Sequence, residues 1–281
     1  MTYNRRAILR ECLAALAEQT RAPERVLVVD NAGTDGTAQM VRDEYPGIDL
    51  LVLPDNQGTA GGFHEGIRDG LAVGADWCWT MDDDTLPYPD ALAELLRAAA
   101  DHDPLPAPLL LASEVVWTDG SLHPMNQPFF PKGEVALTVQ GCERGLVPLR
   151  ATSVVSLLVA REAVERFGPP LKSMFIWGDD IEWTARILRH APGYLVPESV
   201  VHHKTASAYS AASSTGARFY YHVRNLIHMI RGDAWAGSEK LSLVGQLVTS
   251  TIAYLRHNRF ARDNLRVVWR GIMDGVRTMP H

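Results

Sequence analysis

Cysteine is scarce in this chain of 281 residues, and the three present, Cys12, Cys78 and Cys142, stand far apart in no C-x-x-C spacing. That excludes a disulfide framework and a zinc knuckle, and it suits a reducing cytoplasm. Long apolar runs are missing too. Residues 154–160 and 243–255 are too short or too interrupted by polar side chains to span a bilayer, which needs about 20 apolar residues. The first residues lead straight into an amphipathic segment, so a secretory signal peptide is not expected. Positive charge is in short supply, with 27 Lys and Arg against 33 Asp and Glu, a net charge of −6 and a pI near 5.9. Nucleic acid is therefore not an expected partner, because affinity for phosphate backbones comes mainly from Lys and Arg. There is no internal repeat, and the G-x-x-G spacing of Gly33 and Gly36 is not the G-x-G-x-x-G fingerprint of dinucleotide sites. A hydrophobic share of 46% with 21% charged residues rules out disordered and fibrous classes. The charge is unevenly spread: residues 1–230 carry a net −10 and residues 231–281 a net +4.

Periodicity sets out the elements. Ile8, Leu9, Cys12, Leu13 and Leu16 fall at helical spacing, and residues 25–30 read as a buried strand ending on Asp30. A helix capped by Thr34 or Asp35 runs to about Tyr45, and residues 49–54 form a second short strand. A glycine-rich turn over residues 56–62 leads to a helix from about Phe63 to Val73, then to a strand over residues 76–81 that ends in Asp82, Asp83 and Asp84. This alternation predicts an α/β fold with a mostly parallel sheet. Beyond Asp84 the pattern loosens: a helix at residues 90–100, a proline-rich connection at 104–108, a Pro/Phe-rich loop near residues 123–131, and a β-branched run at 152–160. A helix from Arg161, another ending near His190, and a β-like stretch over residues 194–201 follow. From Ala217 onward the chain reads almost entirely as helix.

In parallel α/β sheets ligands bind beyond the carboxyl ends of strands, and Asp30, residues 56–62 and residues 82–84 all lie there. Three adjacent carboxylates repel one another unless a cation screens them, and hard oxygen ligands suit Mg²⁺ or Mn²⁺; the plainer reading is a solvated acidic turn. Gly58, Gly61 and Gly62 let a ligand approach the backbone at a helix N-terminus, where an anion is favoured, or simply make a tight turn. Asp179 and Asp180 sit beside Trp177 and Trp183, which suits a general base flanked by sugar-stacking rings as well as it suits helix capping and packing. Glu182 and Arg186, four apart, read as a structural pair. His203, with His202 beside it, is a plausible third ligand for a carboxylate-bound ion.

In order, the segments at residues 2–5, 28–37, 56–66, 82–84 and 175–186, together with His203, resemble the GT-A fold family 2 glycosyltransferases. Within that family they look most like bacterial galactofuranosyltransferases and rhamnosyltransferases of cell-wall or surface polysaccharide synthesis. The resemblance covers about residues 1–225. It implies a Rossmann-like, mostly parallel sheet sandwiched by helices with a C-terminal helical extension. The segments are a sugar-nucleotide-binding half at residues 1–85, an acceptor-binding and catalytic half of the same domain at 86–215, and a helical tail at 216–281. It further implies that Thr2, Tyr3, Arg5, Asp30, Asn56, Gly61, Gly62 and Asp83 contact a UDP- or dTDP-sugar donor. Asp82, Asp84 and His203 would hold Mn²⁺ or Mg²⁺ against the pyrophosphate, with His202 as the alternative ligand. Asp180, or else Asp179, would deprotonate the hydroxyl of a glycan or lipid-linked acceptor for inverting transfer, with Trp177 and Trp183 against the sugars.

One departure concerns the start. Family members carry a buried strand immediately before Thr2, Tyr3 and Asn4, where this sequence has Met1. A start set too late is the expectation, since a parallel sheet lacking a central strand leaves buried backbone groups unpaired. Two competing classes are weaker. Aspartate-nucleophile phosphatases need D-x-D-x-T, and Leu86 stands where that Thr belongs. A non-catalytic sugar-nucleotide or polysaccharide-binding module would not need both acidic clusters. In the tail, Arg256, Arg259, Arg262, Arg266 and Arg270 recur among Leu255, Phe260, Leu265, Val268 and Trp269. That pattern suits an anionic membrane at the inner face of the plasma membrane, or equally a partner subunit in a homo-oligomer.

Overall fold

The computed structural model describes residues 1–205 and 217–280. Leu9, Cys12 and Leu13 form the buried stripe of the first helix, α1 (Arg6–Ala17). It packs over β1 (Leu27–Asp30), α2 (Thr37–Glu44) and β2 (Asp49–Val52) through a cluster of Leu9, Leu13, Val28, Met40 and Val41. Strands β1 and β2 pair in parallel, Val28 opposite Leu50, as a helix crossover requires. They stand apart as a sheet of their own. Helix α3 (Gly58–Ala72) starts five residues earlier than its periodicity suggested, because most of the glycine-rich segment is its first turn.

The larger sheet has six strands: β3 (Trp77–Met81), β4 (Thr85–Pro87), β5 (Leu110–Val116), β6 (Val147–Pro148), β7 (Ser156–Ala160) and β8 (Gly193–His203). Its main path runs β3-β7-β5-β8-β4, with β6 added against β8. The α/β class holds, but this sheet is mixed where a mostly parallel one was expected: β7 runs antiparallel to both β3 and β5, and only β5 and β8 pair in parallel. The reason lies in the second half of the chain, whose strands are joined by loops and short helices and not by regular crossovers. Strands β5 and β7 are buried on both faces. Leu110, Ala112, Leu157 and Val159 meet α3, α6 (Arg161–Phe167) and α7 (Asp179–Leu188) through Phe63, Ile67, Ala163, Trp183 and Ile187. Leu111 and Leu158 meet α4 (Ala91–Ala100) through Leu92, Leu95 and Ala98 on the other side. Helices thus sandwich the sheet, as expected. The short α5 (Val135–Glu143) packs beside β6.

Because β3 belongs to this sheet, the 1–85 and 86–215 segments share one core; the 215/216 division lies outside the described residues. After it, α8 (Phe219–Arg231) docks Leu226 and Met229 against Ala60 and Met174. Helices α9 (Gly237–His257) and α10 (Arg262–Arg277) pack on α8 around Phe219, Val223, Tyr254 and Val268. The α8–α10 contact is close enough that a Cβ on Gly271 would lie 2.8 Å from that of Val223. Arg150 ties the start of α9 to the body, donating from Nε at 2.7 Å and from Nη2 at 2.9 Å to the Glu239 carboxylate. No helix among the described residues is long and apolar enough to cross a membrane.

Candidate active site

The site lies where β1, β3 and β8 end and α3 and α7 begin. Strand β1 delivers Asp30, fully buried, whose Oδ1 accepts the Gly33 amide at 2.8 Å while Oδ2 has no partner. A buried carboxylate oxygen is costly to leave unpaired, and Oδ2 stands as an acceptor without a partner at the end of β1. Asn31 does work that the sequence did not disclose. Its Nδ2 donates to Gly58 O and its Oδ1 accepts the Gln57 amide, both at 2.8 Å, clamping α3 to the end of β1.

Strand β3 delivers the acidic triplet. Asp83 and Asp84 are buried, Asp82 half-buried. Arg5, expected at the nucleotide, lies across two of these carboxylates, Nη2 2.8 Å from Asp84 and Nη1 3.4 Å from Asp83. His203 comes from the far end of β8, which pairs with β4 so that Thr85 lies opposite His203. Its Nε2 stands 3.2 Å from Asp84 Oδ1, and its Nδ1 lies 2.7 Å from Asn126 Oδ1. A proton on Nδ1, donated to Asn126, leaves the Nε2 lone pair facing the carboxylates, which is the tautomer a metal ligand needs. Asn126 is in turn held by its own donation to Ser153 Oγ at 3.1 Å, and the His123 ring lies 4.7 Å from that of His203. Neither Asn126 nor His123 stood out in the sequence; both lie in the Pro/Phe-rich loop near residues 123–131, where the pattern loosens.

Ligand atoms of Asp82, Asp84 and His203 all lie within 4.8 Å of one another, so the expected metal ligands converge and could hold one ion. His202 is not among them: alternation along β8 turns it to the opposite face. Electrostatics divide the triplet. Burial raises Asp82, with repulsion from Asp84 adding to it, and burial also raises Asp83 in spite of Arg5. At Asp84 burial is outweighed by His203 and Arg5, and its pKa falls below the ordinary value.

The second acidic pair begins α7. The loop before it is tightly wound, with Phe175, Trp177 and Gly178 all at positive φ (64°, 65° and 85°). Asn225 on α8 holds it there, its Nδ2 lying 2.8 to 2.9 Å from the carbonyls of Met174, Ile176 and Trp177. The glycine-rich end of α3 seats the same loop: a Cβ on Gly58 would fall 2.0 Å from Phe175 O. Three amides of this helix end already have protein acceptors, Gly58 N on Asn56 Oδ1, Ala60 N on Phe175 O and Gly61 N on Gln57 O. Asn56 is thus a cap, and Gly61 and Gly62 make room for Gln57 and Met1 side chains; none of them presents a free anion cradle.

Asp179 is buried and accepts the Thr59 hydroxyl at 2.9 Å. Burial lifts it far above the ordinary range, and Asp180 adds repulsion; burial raises Asp180 as well. Asp180 is the more accessible of the two. Trp183 is a correction: it is fully buried in the core and donates Nε1 to Gly168 O at 2.9 Å, so it cannot stack on a sugar. Trp177 stays half-buried at a cavity of about 120 Å³ shared with Phe129, Ile181 and His222. Glu182 and Arg186 form the structural pair that their spacing predicts, Oε1 to Nε 2.9 Å.

Comparison with known proteins agrees with this geometry. Residues 1–135 match the family model described as Glycosyl transferase family 2. The chain is 28% identical over 203 residues to the galactofuranosyltransferase GlfT1 of Mycolicibacterium smegmatis, an alignment covering 67% of this chain and 64% of that protein. It is 26% identical over 234 residues to the N-acetylglucosaminyl-diphospho-decaprenol L-rhamnosyltransferase of Mycobacterium tuberculosis, covering 74% and 75%. Among solved structures, TarS 1-349 of S. aureus in complex with UDP-GlcNAc superposes with a TM-score of 0.64 at 15% identity, over 98% of this chain and 79% of that one. The fold of TarS is therefore shared over nearly the whole of this chain.

Proposed function

From the family 2 glycosyl transferase domain carried by residues 1–135, we propose that this protein is a metal-dependent, inverting glycosyltransferase. It moves a sugar, galactofuranose or rhamnose by its curated relatives, from a nucleotide diphosphate donor to a hydroxyl of a glycan or lipid-linked acceptor. The observation that carries the reading is the convergence of Asp82, Asp84 and His203 in a fold whose neighbour TarS is described with UDP-GlcNAc. These three residues would hold the ion, and an imidazole in the set favours Mn²⁺ over the harder Mg²⁺. A bound divalent ion offsets the charge that develops on the departing nucleoside diphosphate.

The remaining steps belong to side chains. Asp30 accepts a hydrogen bond from the nucleotide through Oδ2. Asp180 takes the proton of the acceptor hydroxyl as its oxygen attacks the anomeric carbon, while the bond to the diphosphate oxygen breaks on the opposite face. Burial raises both members, so the pair holds a proton more tightly than a free Asp, and Asp180, the more accessible of the two, is the member that would take the acceptor's proton. Trp177 lies where an acceptor sugar would stack.

A panel of UDP- and dTDP-sugars tests the reading by nucleoside diphosphate release and thermal shift, with Mn²⁺ and with chelator. A true donor raises Tm and is turned over only with metal; at 100 times Kd the stabilisation is about 2.7 kcal/mol. Metal-independent donor binding with no turnover on any acceptor would overturn it in favour of a binding module.

A further inference from the structure

The turn that leads into α7 runs against its own backbone preference. Phe175 has φ 64° and ψ −64°, and the Ile176 amide donates back to Met174 O at 2.8 Å, which is the strained form of the three-residue γ-turn. Trp177 follows at φ 65°. Neither residue is glycine, so each lies in a conformation that its Cβ disfavours, and such conformations persist only where the surroundings over-determine them.

Here the surroundings act carbonyl by carbonyl. Arg224 Nη2, from α8, lies 2.6 Å from Ser173 O and 2.9 Å from Met174 O. Its neighbour Asn225 adds Met174 O, Ile176 O and Trp177 O, while the Phe175 carbonyl turns the other way, 3.2 Å from both Ala60 N and Thr59 Oγ1 of α3. The carbonyls of residues 173–177 are thus all held, from two helices. The Asn225 amide can face only one way: Oδ1 accepts Arg224 Nε at 3.1 Å and Nη2 at 2.9 Å, which leaves Nδ2 to the carbonyls. The guanidinium is fixed in turn over Tyr220 and Tyr221, 5.4 and 5.1 Å from the ring centroids, and Tyr221 stacks on Phe175 at 4.8 Å. Helix α8 also closes on the cap of α7, since a Cβ on Gly178 would fall 3.3 Å from Met229 Cε.

Resting on the base role proposed above for Asp180, we propose that Arg224 and Asn225 are positioning residues for that base: they hold the strained turn that ends at Gly178, the N-cap of α7, and so fix where Asp180 stands. Asn225 is fully buried and has no surface with which to touch a substrate. Without these two side chains Phe175 and Trp177 relax to negative φ, and the start of α7 moves with them. A displacement of about 1 Å costs a reacting group about 10²-fold in rate, while a donor held by other elements binds as before. Both the turn and α8 lie beyond residues 1–135, so a helix that opens the tail is in this way part of the site.

The test compares the full chain with Asn225→Ala, Arg224→Met and Phe175→Gly, and with Phe175→Gly added to each of the other two, using Mn²⁺ and a sugar nucleotide that the parent turns over. Asn225→Ala should lower kcat about 10²-fold and Arg224→Met about 10-fold, with donor Kd changed less than about twofold in either. Glycine adopts positive φ without a Cβ clash, so adding Phe175→Gly should return roughly 10-fold of the kcat lost in Asn225→Ala, a rescue that a packing role alone does not give. Hydrogen exchange at the Ile176 amide should speed up in Asn225→Ala and Arg224→Met, a readout that needs no turnover. Unchanged kcat, donor Kd weakened as much as kcat falls, no rescue by Phe175→Gly, or unchanged Ile176 exchange would each overturn the proposal. Should Asn225→Ala not fold, Arg224→Met with and without Phe175→Gly decides by the same measures. A parent that turns over no sugar nucleotide sinks the transferase reading by itself, and Ile176 exchange then still decides whether α8 holds the turn.

Discussion

Two acidic clusters lie within electrostatic reach of each other, one closing β3 and the other opening α7, and they differ in what surrounds them. Asp84 has Arg5 and His203 within 3.2 Å, and its charge is held below the ordinary pKa. Asp179 and Asp180 have a hydroxyl, backbone amides and each other, and among the described residues no salt bridge reaches them. Burial is the largest single cause at each, yet the neighbours of Asp84 outweigh it while at the second pair nothing cationic does, so Asp84 is lowered and Asp179 and Asp180 are raised. On the function proposed above, the same side chain would bind a cation in one place and exchange a proton in the other.

Replacing the base should break the comparison hardest. Asp180→Asn is expected to cost about 10² to 10⁴ in kcat, the usual worth of a general base, with donor affinity nearly unchanged. Titration calorimetry with donor and Mn²⁺ beside steady-state turnover checks both halves; unimpaired turnover removes the proton-transfer role.

A smaller effect is expected one step out from the first cluster. Asn126 touches His203 and would not touch the ion, so Asn126→Ala should weaken Mn²⁺ binding about 10- to 100-fold, as loss of a supporting hydrogen bond does. Manganese titration followed by electron paramagnetic resonance measures it directly. Unchanged affinity would mean that His203 needs no orienting partner.

The mildest contrast is in pH. The folded protein holds the proton of the Asp179–Asp180 pair more tightly than the unfolded chain, so the stability this pair contributes is full below an ordinary Asp pKa of about 3.9 and is lost as pH rises through the raised values. Asp84 has the opposite sign: its contribution is present above the ordinary pKa and lost as pH falls through the lowered one. Metal-free melts of Asp179→Asn should therefore lose less stability toward alkaline pH than the parent, and melts of Asp84→Asn should lose less toward acid. Parallel pH profiles in all three proteins would erase the difference between the clusters.

Much of this was legible in residue order. A buried run that stops on Asp30, another that stops on Asp82, and a histidine closing a β-like stretch mark strand ends, and α/β folds gather strand ends at one edge. Other parts were hidden. Strand β5 lies at the centre of the sheet, but its seven residues follow a proline-rich connection and carry no alternation, because both of its faces are buried. Trp183 looked like a partner for sugar because it stands beside two acids; helical rotation carries it to the core face. The glycines of α3 looked like an anion cradle, yet Gly58 admits the Phe175 carbonyl and Gly61 and Gly62 admit the Gln57 and Met1 side chains.

The sequence by itself determined the element types of the first 84 residues, the placing of carboxylates at strand ends and the division between an acidic body and a basic helical tail. These follow from short-range periodicity and composition, which depend on neighbours along the chain. Tertiary structure alone decided which acids have a raised and which a lowered pKa, which of two adjacent histidines turns inward, that Asn126 orients it, and that β1 and β3 stand in separate sheets. Each of those depends on groups many residues apart in the chain, and burial and electrostatics act through space.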